Sequence, residues 1–313
     1  MIRLIVRRLV IAVPVLFIAT ALTFVLASLA PGDAARTILG PNATEDQYQA
    51  LRAQLHLNEP IWEQYGRWLA GAIHGDLGTS LLSGQPVVEM IDQRLAVTLT
   101  LVITSILLSA LLGMTLGVVS AVRGGALGRF LDQLSALSSA VPQYWLALLL
   151  VAIFAVGLRL LPATGWTPFS QSPALWAQSL ILPTITLAAG GVTAIAKQIR
   201  DSMLGTLQSD YILALRSVGI SRGRVILVHA MRNASIPVLT VVGLIFVGTI
   251  GGTVLIEQIF SLPGMGALSV TSTLGGDIPV VQGVVLYFTV IILAANLLLD
   301  LAYGAINPKV RVS

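Results

Sequence analysis

Between Tyr211 and Asn233 the chain gathers Arg216, Arg222, Arg224, His229 and Arg232, although only 10% of its 313 residues are charged. Arginines at this density bind carboxylates or phosphates, or rest on anionic lipid. Bond-making chemistry would need more, and the remaining ingredients are scattered. His56, His74 and His229 are the three histidines, and they fall on separate segments, so no shared metal or acid–base site is expected. Cysteine is absent, which removes disulfides, thiolate metal sites and thiol nucleophiles. No Gly-Lys dipeptide occurs, so the chain has no Walker A loop for ATP phosphates, and no H-E-x-x-H is present. We therefore expect no catalytic residue, no metal and no cofactor in this chain. A pore or carrier is the expected class, and an intramembrane hydrolase is not.

The elements that hold these residues are apolar. Hydrophobic residues make up 56% of the chain and the mean hydropathy is +0.88, whereas soluble domains carry about 25% charged residues. Such a surface cannot be kept in water without large exposed apolar patches. The composition predicts an all-α integral membrane protein, and the net charge of +4 reads as topology and anionic lipid rather than nucleic acid. Six segments are long enough to cross a bilayer: 9–30, 95–122, 133–158, about 175–196, 233–256 and about 279–305. The fourth carries Pro183 and the Gly190-Gly191 pair, and the sixth Asn296 and Asp300. The first is too long for the apolar core of a cleaved signal peptide. Placing both termini in the cytoplasm puts 13 of the 18 basic residues on that side. Most of the others share the long loop after the first span, where the positive-inside rule has little force.

Three regions follow: an N-terminal tail and first span at 1–30, an external segment at 31–94, and a core of five spans at 95–308 with a cytoplasmic loop at 197–233. In the external segment Thr44 reads as the N-cap of an amphipathic helix over 42–57, and 59–75 as a second helix presenting Ile61, Tyr65, Trp68 and Leu69. In the cytoplasmic loop, Ser209 or Asp210 starts a short helix whose apolar side is Tyr211, Ile212, Ala214, Leu215 and Val218, and Gly219 stops it in the left-handed region. A helix of two turns is marginal alone in water, so it needs a partner or a lipid surface. The Pro263-Gly264-Met265-Gly266 turn fits a re-entrant or plug-like turn whose backbone must be satisfied within protein. Asn296 and Asp300 lie four apart on one helix face, and an acid within a span is a functional candidate.

Several motifs, in order, resemble one family. They are Asp210-Tyr211, Arg216–Gly219, and His229, Arg232, Asn233 with Pro237; Pro31-Gly32-Asp33 after the first span; "GDLGTS" at 75–80; "EQIFSLPGMG" at 257–266; and "DIPVVQG" and "DLAYGAINP" at 277–283 and 300–308. Together they cover nearly the whole chain and resemble the membrane permease subunit of dipeptide/oligopeptide ABC importers, in the peptide/nickel branch. At the E-A-A positions of the importers' coupling loop this chain reads Leu213, Ala214, Leu215, which departs from the generic motif, and Asn307-Pro308-Lys309 stands where Asp-Pro-Arg is usual.

The resemblance implies a type I importer permease fold in a prokaryotic inner membrane. It also implies a second related permease subunit, two ATP-binding cassette subunits holding ATP and Mg, an extracytoplasmic substrate-binding protein, and a peptide substrate. Nickel and glutathione permeases share the motifs; a self-contained ion-driven carrier or channel is the reading from another class. Asp210, Tyr211, Leu213, Ala214, Arg216 and Gly219 would dock on the ATPase, with Leu213 and Ala214 filling its groove and Arg216 meeting its acidic rim. His229, Arg232 and Asn233 would fix the short helix to the fifth span by hydrogen bonds to loop carbonyls. Glu257, Pro263, Gly264 and Gly266 would form an outer gate or a contact for the binding protein, and Asp300 would pair with Lys309 or with the partner permease. Gln143, Tyr144 and Trp145 are candidates both for the path wall and for contacts between helices.

Overall fold

The computed structural model describes residues 2–30 and 33–306, and among these the regular structure is helical, apart from one isolated bridge between Thr79 and Pro86. In chain order the helices are α1 (Ile2–Leu29), α2 (Ala34–Leu39), α3 (Glu45–Gln54), α4 (Ile61–Ile73), α5 (Val87–Arg123), α6 (Gly125–Ala140) and α7 (Gln143–Leu150). A π-helical turn, Val151–Gly157, extends α7. Then follow α8 (Pro173–Leu207), α9 (Asp210–Ser217), α10 (Arg222–Arg224), a second π-helical turn (Val225–Ala230), α11 (Met231–Ile259), α12 (Met265–Gly275) and α13 (Ile278–Ile306).

Five of the described helices, α1, α5, α8, α11 and α13, are long and apolar enough to cross a membrane. The expected third span, 133–158, is not one helix. It breaks at Val141 and Pro142, leaving a shorter apolar helix over Gln143–Gly157. The cause is local: proline offers no N–H to the preceding turn, and its ring drives the residue before it out of the helical region. Val141 accordingly sits at φ −89° and ψ 118°. The fourth and sixth expected spans, which carry proline and polar residues, are continuous helices. Pro183 is buried within the 35 residues of α8, and Asn296 and Asp300 lie in the unbroken α13. Helix α8 runs on to Leu207, so the first residues of the expected loop at 197–233 are helical.

The chain divides into two compact units. One comprises Ile2–Leu99 and Leu262–Leu293. In it, Tyr65 of α4 lies edge-on to Phe17 and Phe24 of α1, and its hydroxyl shares a 3.0 Å hydrogen bond with Thr20. The buried Gln282 of α13 donates to the Thr20 carbonyl. Leu77, Val87, Ile91, Met265, Leu268, Val280 and Val284 form its apolar core. Thr44 caps α3 with a full capping box to Gln47, as its spacing predicts.

Asp33 caps α2 and also accepts hydrogen bonds from Tyr48 and Arg52 of α3. Burial alone would raise its pKa, but the Tyr48 hydroxyl, the Arg36 and Ala35 amides and the Arg52 charge outweigh that and hold it below the ordinary carboxylate value. A group depressed in the folded state contributes stability that is complete above the unfolded value, near pH 4, and is lost as pH falls through the folded value. Amide exchange in α2 and α3 of the wild-type chain should therefore quicken on acidification through that window. Asp33→Asn should show the fast exchange at every pH. Wild-type exchange that keeps its rate, after correction for intrinsic chemistry, across the same window would contradict the assignment.

The second unit comprises Thr100–Ser261 and the residues from Ala294 onward. Helix α8 lies at its centre, packed by α6, α7 and α11. The N-terminal half of this unit's α5 segment meets α8 through Thr104 with Thr184 and through Ser109, which donates to the Ala188 carbonyl. Further along, Gly113 and Gly117 admit α8 so closely that a Cβ at Gly117 would lie 2.6 Å from the Ala196 carbonyl oxygen. Ala121, Ile195, Ile199, Met203, Ile226, Ala230, Ala234 and Val238 complete the core.

Candidate functional site

Ser209 takes the N-cap position of α9, but its hydroxyl turns back to the Thr206 carbonyl instead of capping an N–H. The other end is closed fully. The Gly219 amide donates to the Arg216 carbonyl at 3.0 Å and the Ile220 amide to the Leu215 carbonyl at 3.2 Å, which is the double hydrogen bond of a Schellman motif. Gly219 makes this possible at φ +83°, and nothing stands within 4 Å of where its Cβ would be. The glycine is there for its backbone, not for space.

The apolar residues of α9 divide between two faces, which differs from the single face expected from the sequence. Ile212 is fully buried and Leu215 half-buried, and α9 packs on the π-helical turn Val225–Ala230. Tyr211, Leu213, Ala214 and Val218 are exposed, as are Asp210 and Arg216. An eight-residue helix tied to its own chain through Ile212 thus presents Leu213, 56% exposed, and Val218, 74% exposed, with Arg216 among them.

The anchoring residues behave unequally. Asn233, in the first turn of α11, donates to the Tyr211 hydroxyl at 2.6 Å, so it does join α11 to α9, through a side chain rather than a loop carbonyl. His229 and Arg232 make no side-chain hydrogen bond among the described residues. The residues Gly219–Gly223 also spell G-x-S-x-G, a spacing that can mark a serine nucleophile. Here Ser221 precedes the single turn α10, with no strand before it among the described residues, so the strand–turn–helix elbow is missing.

Glu257 is fully buried in the last turns of α11. In the other unit Gly264, Met265 and Gly266 are buried while Pro263 is exposed. Gly264 caps α12, and the Met265 amide donates to Thr98 Oγ1 at 2.8 Å. At about 16 Å, the eleven residues of α12 are too short to cross a bilayer, and the helix ends at Gly276 in the left-handed conformation. Asn296 and Asp300 are half-buried on α13. Lys309, the expected partner of Asp300, lies outside the described residues, as do Pro31, Gly32 and Asn307-Pro308. Tyr144 and Trp145 are exposed, and the Gln143 side chain reaches to within 3.0 Å of the Cβ position of Gly252 on α11.

Two features escaped sequence reading. The first joins two motifs: Ser80 donates to the buried Asp277 carboxylate, which also accepts from the Leu81 amide at 3.0 Å. Ser80 Oγ in turn accepts from the amides of Leu82 and Ser83. A pair 197 residues apart leaves no periodic trace. Ser80→Ala strips a donor from a buried carboxylate and an acceptor from two amides, at a cost of about 3 kcal/mol. The thermal midpoint in detergent should fall clearly, while Ser83→Ala, at an exposed serine, should leave it nearly unchanged. The second feature, G-x-x-x-G at 113–117, is visible in the sequence as a pattern for close helix approach.

Residues 113–312 match the family described as binding-protein-dependent transport system inner membrane component, and residues 1–102 match the N-terminal component of the same systems. A relative from Brucella abortus, named as a permease of a peptide transport system, is 42% identical over 309 residues, 98% of each chain. One from Sinorhizobium fredii, named as a peptide ABC transporter permease, is 39% identical over 308 residues, again 98% of each. The glutathione transport system permease of Escherichia coli K12 is 36% identical over 312 residues, 99% of each. With an all-helical architecture, five span-length helices and family matches along almost its full length, the chain belongs to the binding-protein-dependent transport system inner membrane components, the permease subunits of ABC importers.

Proposed function

We propose that this chain supplies half of the translocation path of a peptide importer and that α9 is its contact with a partner ATPase. The observation that carries this reading is the exposure of Leu213 and Val218 beside Arg216 on a helix held to its own chain by Ile212 and Asn233. An apolar, cationic knob of this kind suits a groove with an acidic rim. The names of the relatives from Brucella abortus and Sinorhizobium fredii support a peptide as substrate, and the Escherichia coli relative supports glutathione, itself a tripeptide, within the same reading.

The transporter would pair this chain with a second related permease, two ATPase subunits that bind ATP and Mg, and an extracytoplasmic binding protein that selects the peptide. Both termini would face the cytoplasm, in a prokaryotic inner membrane. Closure of the ATPases on nucleotide would draw the two α9 helices together and open the path outward to the loaded binding protein; hydrolysis would reset it. Glu257 and the Pro263–Gly266 turn would serve as the outer gate, and Asp300 as a contact with the other permease. Purification in mild detergent tests the core of this. Recovery with two ATPase subunits, and ATP-dependent peptide uptake that needs the binding protein, is the expected result. A single subunit that transports without ATP would overturn it in favour of an ion-driven carrier.

A further inference from the structure

We infer that the uncovered strip on the second half of α8 is part of the path wall and that Lys197 receives the carboxylate of the passing peptide. This rests on the peptide-import reading above. Helix α8 is the most enclosed of the span-length helices: 67% of its apolar window is buried, against at most 33% in the others. With α5, α6, α7 and α11 around it, little of the second half of α8 remains open.

What remains is a strip of small and charged residues. Gly190, Ala194, Lys197 and Asp201 follow at spacings of four, three and four, one helix face. Gly190 is half-buried and the other three are exposed. A face turned to lipid would be apolar, as the exposed Ile181 and Ile185 on the first half of the same helix are. Lysine in a helix of this kind faces a bundle interior or water.

The strip also borders an open cavity. Ser135 and Ser138 of α6 join Gly190, Thr193, Ala194 and Lys197 of α8 around about 200 Å³, room for a few atoms of a solute rather than a whole peptide. Ser135 Oγ donates to the Thr193 carbonyl at 3.5 Å, bridging the two helices that line it. The neighbouring cation is already committed: Arg200 meets both oxygens of Asp132 at 2.8 and 3.0 Å. Lys197 pairs with no carboxylate among the described residues, and Asp201, one turn beyond, does not line the cavity. An ammonium beside hydroxyls in an open recess suits a small anion. Every unblocked peptide carries one, its terminal carboxylate. Lys197 comes ten residues, about 15 Å, before the end of α8, which places the contact toward the α9 end of the path.

The natural lack of cysteine makes the test direct. Lys197→Cys is assembled with its partner permease, ATPases and binding protein in vesicles, and uptake of the dipeptide Ala-Ala is followed. Uptake should fall about tenfold, the scale of one charge-assisted hydrogen bond. Because labelling follows folding, a methanethiosulfonate carrying an aminoethyl group should restore most of it, whereas sulfonatoethyl and neutral labels should not. Saturating Ala-Ala should also slow the labelling. A thiol at position 197 that resists these water-soluble reagents, or uptake equal with all three labels, overturns the inference. So does labelling indifferent to Ala-Ala, the result expected if the ammonium meets a lipid phosphate instead of the peptide. A wild-type complex that imports no peptide would instead sink the import reading itself.

Discussion

Gly219→Val leaves the protein in the membrane at its usual level and abolishes substrate-stimulated ATP hydrolysis by its partners. The two halves of this expectation come from two observations at one residue. Nothing lies within 4 Å of the Cβ position, so valine meets no obstacle and the core around α8 is untouched. The backbone, however, stands at φ +83°, where an L-residue costs roughly 1–2 kcal/mol and a β-branched one more. That strain falls on an eight-residue helix with no side-chain N-cap, whose isolated stability is marginal. Loss of the paired bonds to Arg216 and Leu215 frays the last turn, and it is this turn that carries Arg216 and leads to Val218. Membrane abundance, basal hydrolysis and stimulated hydrolysis, measured together, separate uncoupling from misfolding. Full stimulation in the valine variant would remove α9 from the mechanism.

Gly117→Leu has the opposite signature: the protein fails to accumulate. A Cβ there would meet the Ala196 carbonyl oxygen at 2.6 Å and Ile199 at 2.7 Å. Backbone cannot swing aside, so α5 and α8 must separate, opening the apolar core between them. Overpacking of this kind costs about 3 kcal/mol or more, a large share of the stability of an ordinary domain. Even Gly117→Ala should lower the thermal midpoint. Gly205→Ala, on the same α8 but with open space around it, should be neutral or slightly stabilising. Equal tolerance at the two positions would contradict the close approach of these helices.

What could be read in advance depended on the range of the interaction. Thr44 with Gln47, and Gly219 after Arg216, are decided within four residues, and both turned out as their spacing predicts. The break at Pro142 was equally local, yet an unbroken count of apolar residues concealed it, because hydropathy does not register a missing N–H. The face of α9 was misjudged for another reason. Periodicity says which residues share a side but not which side has a neighbour, and here Ile212 is buried while Tyr211, Ala214 and Val218, expected on its side, are exposed. Ser80 and Asp277 lie beyond any local rule. Each is an ordinary residue at a loop, and only the fold makes them one hydrogen-bonded unit. The cavity beside Lys197 likewise needs both α6 and α8 in place before it exists.

The docking role of α9 is the claim on which the rest depends, and site-specific cross-linking tests it most directly. The cysteine-free chain accepts a single cysteine at Leu213, or at the exposed Trp62 on α4 as a control, each bearing a photo-activated benzophenone in the assembled transporter. The account predicts a covalent adduct between residue 213 and the ATPase subunit, changing in yield with bound nucleotide, and none from residue 62. Adducts from residue 213 with lipid alone, in every nucleotide state, would contradict it.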